Sequence, residues 1–282
     1  MQNTESEFLY HTSCDNCSSS DANSVYSDGH AFCFSCNTTT KGNDLNNPVS
    51  TETSKEFIEG SITELTKRKI NYNTVQKFNY QSGAWFGRPC QIANYYNKAK
   101  ELIAQKLRYP DKTFQWLGDA REAGLFGQHL FPRKGKYVTV CEGELDAMSA
   151  YEILGSKWPV VSLKNGAGAA VKNCKESFDF LNMFDNIVLC FDNDKEGREA
   201  AQKVGQLFEP NKCKIVHLAM KDANEYLKTG QRQQFVEMWW NAKSYTPAGI
   251  LNLNELGSSL YDEAYFESVQ YPWSKLNEKT YG

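Results

Sequence analysis

Apolar residues in the second half of the chain fall into four short runs, each closed by a polar turn and followed by a helical pattern. The runs are Tyr137–Cys141, Val160–Leu163, Ile187–Phe191 and Ile215–Leu218. Runs of this length, rich in β-branched residues, predict strands buried on both faces of a parallel sheet. The segments opening at Leu145, after Gly168, at Lys195 and after Asp222 predict the crossover helices of repeated βα units. Upstream, Ala104–Arg108 and Lys112–Trp116 flank the turn Tyr109-Pro110-Asp111 and predict a hairpin. Ala84–Asn97 predicts strands or a compact hairpin, and Ser61 with Glu64, in capping-box spacing, predicts the start of a short helix. Nearer the N-terminus, Asn23–Ser27, Asp28-Gly29 and His30–Phe32 read as another hairpin. Thr38–Glu56 has almost no apolar residues and predicts a flexible linker. Ser244–Gly282 is weakly patterned, with a short helical piece around Leu253–Tyr261.

These patterns divide the chain into a β module (1–40), a linker (41–56), a mixed subdomain (57–136), a parallel α/β subdomain (137–243) and a tail (244–282). The net charge of −3 conceals an asymmetry. Residues 1–56 carry two basic and eight acidic side chains, 57–136 fourteen and six, and 137–282 fifteen and twenty. A basic block beside an acidic core suits phosphate held over bound cations, although a solvated Lys-rich surface has the same composition. No stretch reaches the ~18 consecutive apolar residues of a membrane span. The polar, acidic first residues are not a secretory signal, so a cytoplasmic location and no membrane partner are expected.

Nine cysteines do not make a secreted disulfide framework, since five are scattered through the expected core. The other four are paired as Cys14-x-x-Cys17 and Cys33-x-x-Cys36, fifteen residues apart. Two such knuckles supply four thiolates, a closed tetrahedron for one structural zinc. His11 and His30 lie near the knuckles but are not needed as ligands.

Carboxylates gather at the strand ends: Glu142 after the first run, Asp192 and Asp194 after the third, and Asp222 after the fourth. Acids in that position need compensation when buried, and oxygen ligands favour magnesium or manganese. Asp222 and Glu225 also form a capping box, and Asp192-Asn193-Asp194 could simply cap the next helix. Glu142 and Asp146 are four residues apart and would share a helical face; Glu144 is expected at the surface. Lys106, Arg108 and Lys112 share one hairpin and are candidates for nucleotide phosphates or a template backbone. Trp239-Trp240 and Tyr95-Tyr96 read as packing residues.

With these residues in place, the chain resembles the primase half of the T-seven-type phage primase–helicases. The resemblance rests on the ribbon with Ser27-Asp28-Gly29-His30, on Gln105-Lys106, Asp111-Lys112 and Glu142-Gly143-Glu144-Leu145-Asp146, and on Phe191-Asp192-Asn193-Asp194 and Lys221-Asp222-Ala223-Asn224-Glu225. It implies an α/β Toprim-type domain with a parallel sheet core, preceded by a zinc-ribbon module. It also implies a DNA primase that makes short RNA primers from NTPs on single-stranded DNA during replication. In that reading Glu142, Asp192 and Asp222 match residues that hold catalytic metal, with Asp146 and Asp194 nearby. Lys106 and Lys112 match basic residues important for synthesis, and His30 matches a residue that helps read the template. Glu142 stays open as ligand or general base, and two magnesium or manganese ions suit the chemistry. Expected partners are the single-stranded template, NTPs, a replicative helicase fused or in trans, and a DNA polymerase. No GxxxxGK[ST] loop occurs in the 282 residues, which stop where the family's helicase would begin. Two alternatives are a Toprim-type metal-dependent nuclease or topoisomerase-like enzyme, and a non-catalytic DNA-binding helicase-loading module.

Overall fold

The structure, a computed structural model, describes residues 7–12, 14, 16–17, 19, 22–27, 29–36, 38–40, 57–132, 134–246 and 272–280. Residues up to Tyr245 form one compact unit and the rest a second.

The N-terminal module is an antiparallel four-stranded sheet: β1 (Phe8–Thr12), β2 (Asn23–Tyr26), β3 (Ala31–Cys33) and β4 (Thr38–Thr40), in that order. The expected hairpin is the β2–β3 pair, with Gly29 at φ 82° in its connection. Thr38–Thr40 pairs with β3, so these three residues belong to the module and not to a linker. The 41–56 segment lies outside the described residues.

A second antiparallel sheet is a meander of β5 (Gln81–Trp85), β6 (Arg88–Tyr96), β7 (Leu102–Arg108) and β8 (Phe114–Gly118). The basic hairpin is β7–β8, in the register Lys106↔Trp116 and Arg108↔Phe114. The helix expected from Ser61 is absent. Ser61 instead bridges Ser82 beside β5, and the local turn is a 3-10 turn at Thr66–Arg68. Backbone pairing with the sheet edge outweighs the Ser61/Glu64 capping signal. The first α-helix, α1 (Tyr72–Lys77), is capped by Asn71, whose Oδ1 accepts from Thr74 N at 2.9 Å.

The third sheet has the order β10 (Val160–Ser162), β9 (Gly135–Cys141), β11 (Phe184–Cys190), β12 (Cys213–Ile215) and β13 (Lys243–Ser244). Its first four strands are parallel and β13 is antiparallel. The fourth run is a strand only to Ile215. The sheet also reaches into the expected tail, where Tyr245 is buried. The crossover helices are α2 (Glu144–Ile153), α3 (Ala170–Glu176), α4 (Phe178–Asn182), α5 (Lys195–Gly205), α6 (Ala223–Thr229) and α7 (Arg232–Trp240). Leu253–Tyr261 lies outside the described residues; in the second unit the described helix is α8 (Ser274–Thr280).

Alternation along β11 explains its unbroken apolar run. Ile187, Leu189 and Phe191 pack with residues of α3, α4 and α5, while Val188 and Cys190 face α2, α6 and α7. The latter core also takes in Phe78, Tyr80 and Tyr95, so the 57–136 and parallel-sheet regions share one hydrophobic interior. The five cysteines outside the ribbon are all buried. Trp239 and Tyr95 are core residues as expected, whereas Trp240 is 52% exposed.

Candidate zinc and catalytic sites

In the ribbon, the Sγ atoms of Cys14, Cys17, Cys33 and Cys36 all lie within 4.8 Å of one another. Cys14–Cys36 and Cys17–Cys33 are each 3.6 Å apart. Zinc–sulfur bonds of ~2.3 Å in a tetrahedron place sulfurs roughly 3.8 Å apart, so the cage fits zinc. A disulfide would need about 2.0 Å. Asn16 Nδ2 donates to Thr38 Oγ1 at 2.7 Å, and Thr38 Oγ1 lies 3.1 Å from Cys36 Sγ. This polar support orients a ligand from outside the cage. The histidines stay outside the cluster. His11 Nδ1 is 3.1 Å from Ser24 Oγ, and His30 stacks on Tyr26 with centroids 4.4 Å apart and planes within 5°.

The strand-end acids converge at the carboxyl end of the parallel sheet. Glu142 follows β9, and its two oxygens face backbone amides: Ala167 N at 3.2 Å and Asp192 N, more weakly, at 3.4 Å. Burial raises the Glu142 carboxyl above its ordinary range, opposed by those amides and by Lys221, and reinforced by Asp194. Asp192 is pushed up to about 7 by burial, then by Glu142 and Asp222, with Lys221 opposing. Asp146, on the first turn of α2, is raised well above the carboxylate range by burial, Asp222 and Asp192. The Asn224 amide, 3.3 Å away, works against that rise.

Thus Glu142, Asp146, Asp192 and Asp222 share one electrostatic site. Burial first, and neighbouring carboxylates second, raise Glu142, Asp146 and Asp192, and divalent cations would relieve that repulsion. Among the described residues only the cysteine cluster is already closed to within 4.8 Å. An open acidic site suits magnesium, which keeps waters and is completed by substrate phosphates.

Asp194 and Asp222 also have structural work. Asp194 caps α5, accepting from Gly197 N at 2.8 Å, and Asp222 caps α6, accepting from Glu225 N at 2.8 Å. The capping expectation for Asp222 therefore holds alongside its place in the acid cluster. Asp192 accepts no hydrogen bond on its carboxylate among the described residues. A Cβ on Gly197 would lie 2.3 Å from Asp192 O, so this glycine permits α5 to start against the strand end.

Glu144 is the clear correction: it is buried, 7% exposed, not a surface residue. The first turn of α2 turns it inward, where it accepts from Tyr95 OH at 2.5 Å and Lys106 Nζ at 2.9 Å. Lys106 also donates to Lys164 O at 2.7 Å. Lys106 therefore enters the site as a buried ion-pair partner. Lys112 and Arg108 remain on the hairpin. Lys112 is exposed in the turn at φ 66°, and neither residue lines the acidic cleft.

That cleft encloses about 990 Å³. Glu142, Asp146, Asp192, Lys106 and Phe114 line it, together with ribbon residues such as Asn16 and Ser35. His30 is not among its lining residues. Sequence reasoning missed three participants: Lys221, whose charge acts on Glu142 and Asp192; exposed Lys172 in the cleft; and Phe114. Lys221 adjoins Asp222 in the motif, which was the available signal. Nothing in periodicity marks Lys172 or Phe114.

A thiolate ribbon, a basic antiparallel subdomain and a parallel sheet with strand-end acids define a zinc-ribbon Toprim protein. Three family models match these parts in order. They are the zinc-binding domain of primase-helicase over 9–45, the N-terminal a+b fold of the bacteriophage T7 DNA helicase/primase over 60–118, and a Toprim-like model over 139–227. The chain is 36% identical over 262 residues to the DNA helicase/primase of Enterobacteria phage T3, covering 88% of this chain and 46% of that protein. The primase fragment of the bacteriophage T7 primase-helicase superposes with a TM-score of 0.60 at 35% identity, over 83% of this chain and 100% of that one. A bacteriophage T7 assembly, lagging-strand DNA polymerase interacting with two primase domains bound to an RNA/DNA hybrid and dTTP, also matches. Its TM-score is 0.63 at 36% identity, over 66% of this chain and 94% of that one. The chain belongs to the T7-type phage primase–helicase family, within which it aligns with the primase half. It spans about half the length of the phage T3 relative.

Proposed function

We propose that this protein is a DNA primase, joining NTPs into short RNA primers on single-stranded DNA. The observation that carries the reading is the gathering of Glu142, Asp146 and Asp192 in one cleft, close enough to Asp222 for its charge to act on Asp146 and Asp192. Glu142, Asp192 and Asp222 would hold the catalytic magnesium or manganese, with Asp146 and Asp194 supporting. When bound, those cations would lower the charge barrier between the attacking 3′-hydroxyl, the α-phosphate and the departing pyrophosphate.

The chain's own residues do the rest. The Ala167 and Asp192 amides hold Glu142 in one orientation, and its raised carboxyl leaves it able to take the hydroxyl proton if it is not itself a ligand. Lys172 and Lys221, exposed beside the acids, supply positive charge toward the triphosphate. Lys106 supports the site through Glu144; Lys112 and Arg108 meet the nucleic-acid backbone from the hairpin, and His30 meets a template base from the ribbon. A helicase and a DNA polymerase are the proposed protein partners, as the phage T3 and T7 relatives suggest. The host cytoplasm is the proposed place of action, and no described helix is long and apolar enough to cross a membrane.

The test is a primer assay with single-stranded DNA, magnesium and labelled NTPs. Short RNA oligomers are expected from the wild type and not from Asp192→Asn. DNA cleavage without NTPs would favour the nuclease reading instead.

A further inference from the structure

We propose that Phe114, on β8, is the platform on which the base of an incoming nucleoside triphosphate stacks. The proposal rests on the primer-synthesis reading and adds a base-binding subsite to it. Phe114 and Trp116 are two apart on one strand and so project from the same face of the meander. Lys106, on the neighbouring strand, brings its ammonium 4.7 Å from the Phe114 ring centroid and 5.8 Å from that of Trp116. The ammonium is itself fixed from behind by Glu144 Oε1 and Lys164 O. Trp116 packs in turn on buried Tyr95, with centroids 4.8 Å apart. Phe114 is thus held by a fixed cation and a fixed strand, yet remains 41% exposed.

The exposed part of that ring belongs to the cleft that holds Glu142 and Asp192. With Trp116 and Ala120, the phenyl ring gives the cleft apolar surface beside its charged residues, and a nucleobase is the apolar, planar group that the cleft's substrate would bring. The ring's position favours the base of the NTP over a template base. The cation touching it bonds to Glu144, two residues from Glu142, and to Lys164 O, two residues before the Gly166 loop that packs on Glu142. Phe114 therefore stands beside the acids toward which a metal-bound triphosphate must point. Stacking needs only a π-face, so the platform accepts all four bases and leaves base selection to the template.

The experiment is equilibrium titration of the full chain, with magnesium, against ATP and against ribose 5′-triphosphate, which lacks the base. It uses Phe114→Ala, Phe114→Leu and Phe114→Tyr, and is paired with primer kinetics. Phe114→Ala and Phe114→Leu are expected to weaken ATP about tenfold while leaving ribose triphosphate unchanged. Phe114→Tyr should retain ATP binding, whereas in Phe114→Ala and Phe114→Leu the KM for NTP should rise with little change in kcat. An equal loss for both ligands, or ATP binding unchanged in Phe114→Ala, overturns the proposal alone. So does a defect that disappears when the template, rather than the nucleotide, lacks its base. A wild type that binds neither triphosphate and makes no RNA overturns the primer-synthesis reading, and the platform with it.

Discussion

The Lys106–Glu144 pair makes the sharpest prediction, because its burial fixes both sign and size. Nζ and Oε1 are 2.9 Å apart, and the two side chains are 11% and 9% exposed. Removing one member of a buried pair strands the other in a medium that solvates it poorly. Lys106→Met should therefore cost about 3–5 kcal/mol. At roughly 2–4 °C per kcal/mol for a body of this size, the melting temperature should fall on the order of 6–20 °C. Glu144→Gln leaves Lys106 without its counter-charge but keeps a carbonyl for Tyr95, so it belongs at the lower end of that range. The double variant Lys106→Met/Glu144→Gln should regain most of the loss, because no unpaired charge remains. Urea unfolding followed by tryptophan fluorescence gives all four corners of the cycle, and a coupling of about 2 kcal/mol or more is expected. The same variants assayed for primer synthesis separate structure from substrate contact. If Lys106→Met costs less than ~1 kcal/mol, in the range of an exposed pair, yet abolishes synthesis, the buried-pair account fails and Lys106 is chiefly a substrate ligand.

Chelation of zinc or Cys33→Ser should unfold the ribbon while leaving the unfolding midpoint of the 57–245 body in place; a shifted body midpoint would contradict separate stabilisation. Gly197→Ala, which at an ordinary helix position gains about 1 kcal/mol, should here lose roughly 1–3 kcal/mol and weaken magnesium activation, because the added Cβ meets Asp192 O at 2.3 Å; a stabilised variant would refute the close approach. His129 is lowered to about 4 by burial, then by Lys100 and Lys77. Its folded pKa lies below the unfolded value near 6.5, so the unfolded chain takes up the proton first as the pH falls. Stability should decline from about pH 6.5 to about pH 4 and level off below, as far as this group is concerned. His129→Gln should flatten that part of the pH–stability curve, and an unchanged slope would remove His129 as its source.

What the sequence carried best was periodicity backed by chemistry. β11 and its neighbours were legible because strands covered on both faces leave unbroken apolar runs, and the cysteine knuckles because zinc fixes their spacing. The strand-end acids were legible for a related reason, since parallel topology delivers strand ends to a common edge. Three features failed to show. Ser61 carries a helix-capping pattern, but its backbone pairs with Ser82, a partner twenty-one residues away that no local window contains. Glu144 looks like a surface acid until Tyr95 and Lys106 arrive from another sheet. Phe114 alternates like any strand residue, and only the cleft gives its exposure a meaning.

Asp192 and Asp194 remain the finest division within the site, and capping chemistry separates them. The Asp194 carboxylate is committed to Gly197 N, so one oxygen is held by the start of α5. Asparagine caps a helix about as well as aspartate, so Asp194→Asn keeps the bond and removes only charge. Asp192 has no such bond among the described residues, and its carboxyl is raised to about 7 chiefly by burial and by Glu142 and Asp222. An ionised acid in that place is stable only when positive charge joins it. Asp192→Asn should therefore relieve repulsion and leave the fold equally or more stable, while raising the magnesium concentration needed for half-maximal synthesis by tenfold or more, about 1.4 kcal/mol of binding. Asp194→Asn should change both properties little, and Asp194→Ala should lose about 1 kcal/mol of stability through the missing cap. Magnesium titrations of primer synthesis beside urea unfolding measure both quantities. The reverse pattern, with Asp194→Asn losing magnesium affinity and Asp192→Asn retaining it, would move the ligand role to Asp194 and leave Asp192 as a buried acid that the site merely tolerates.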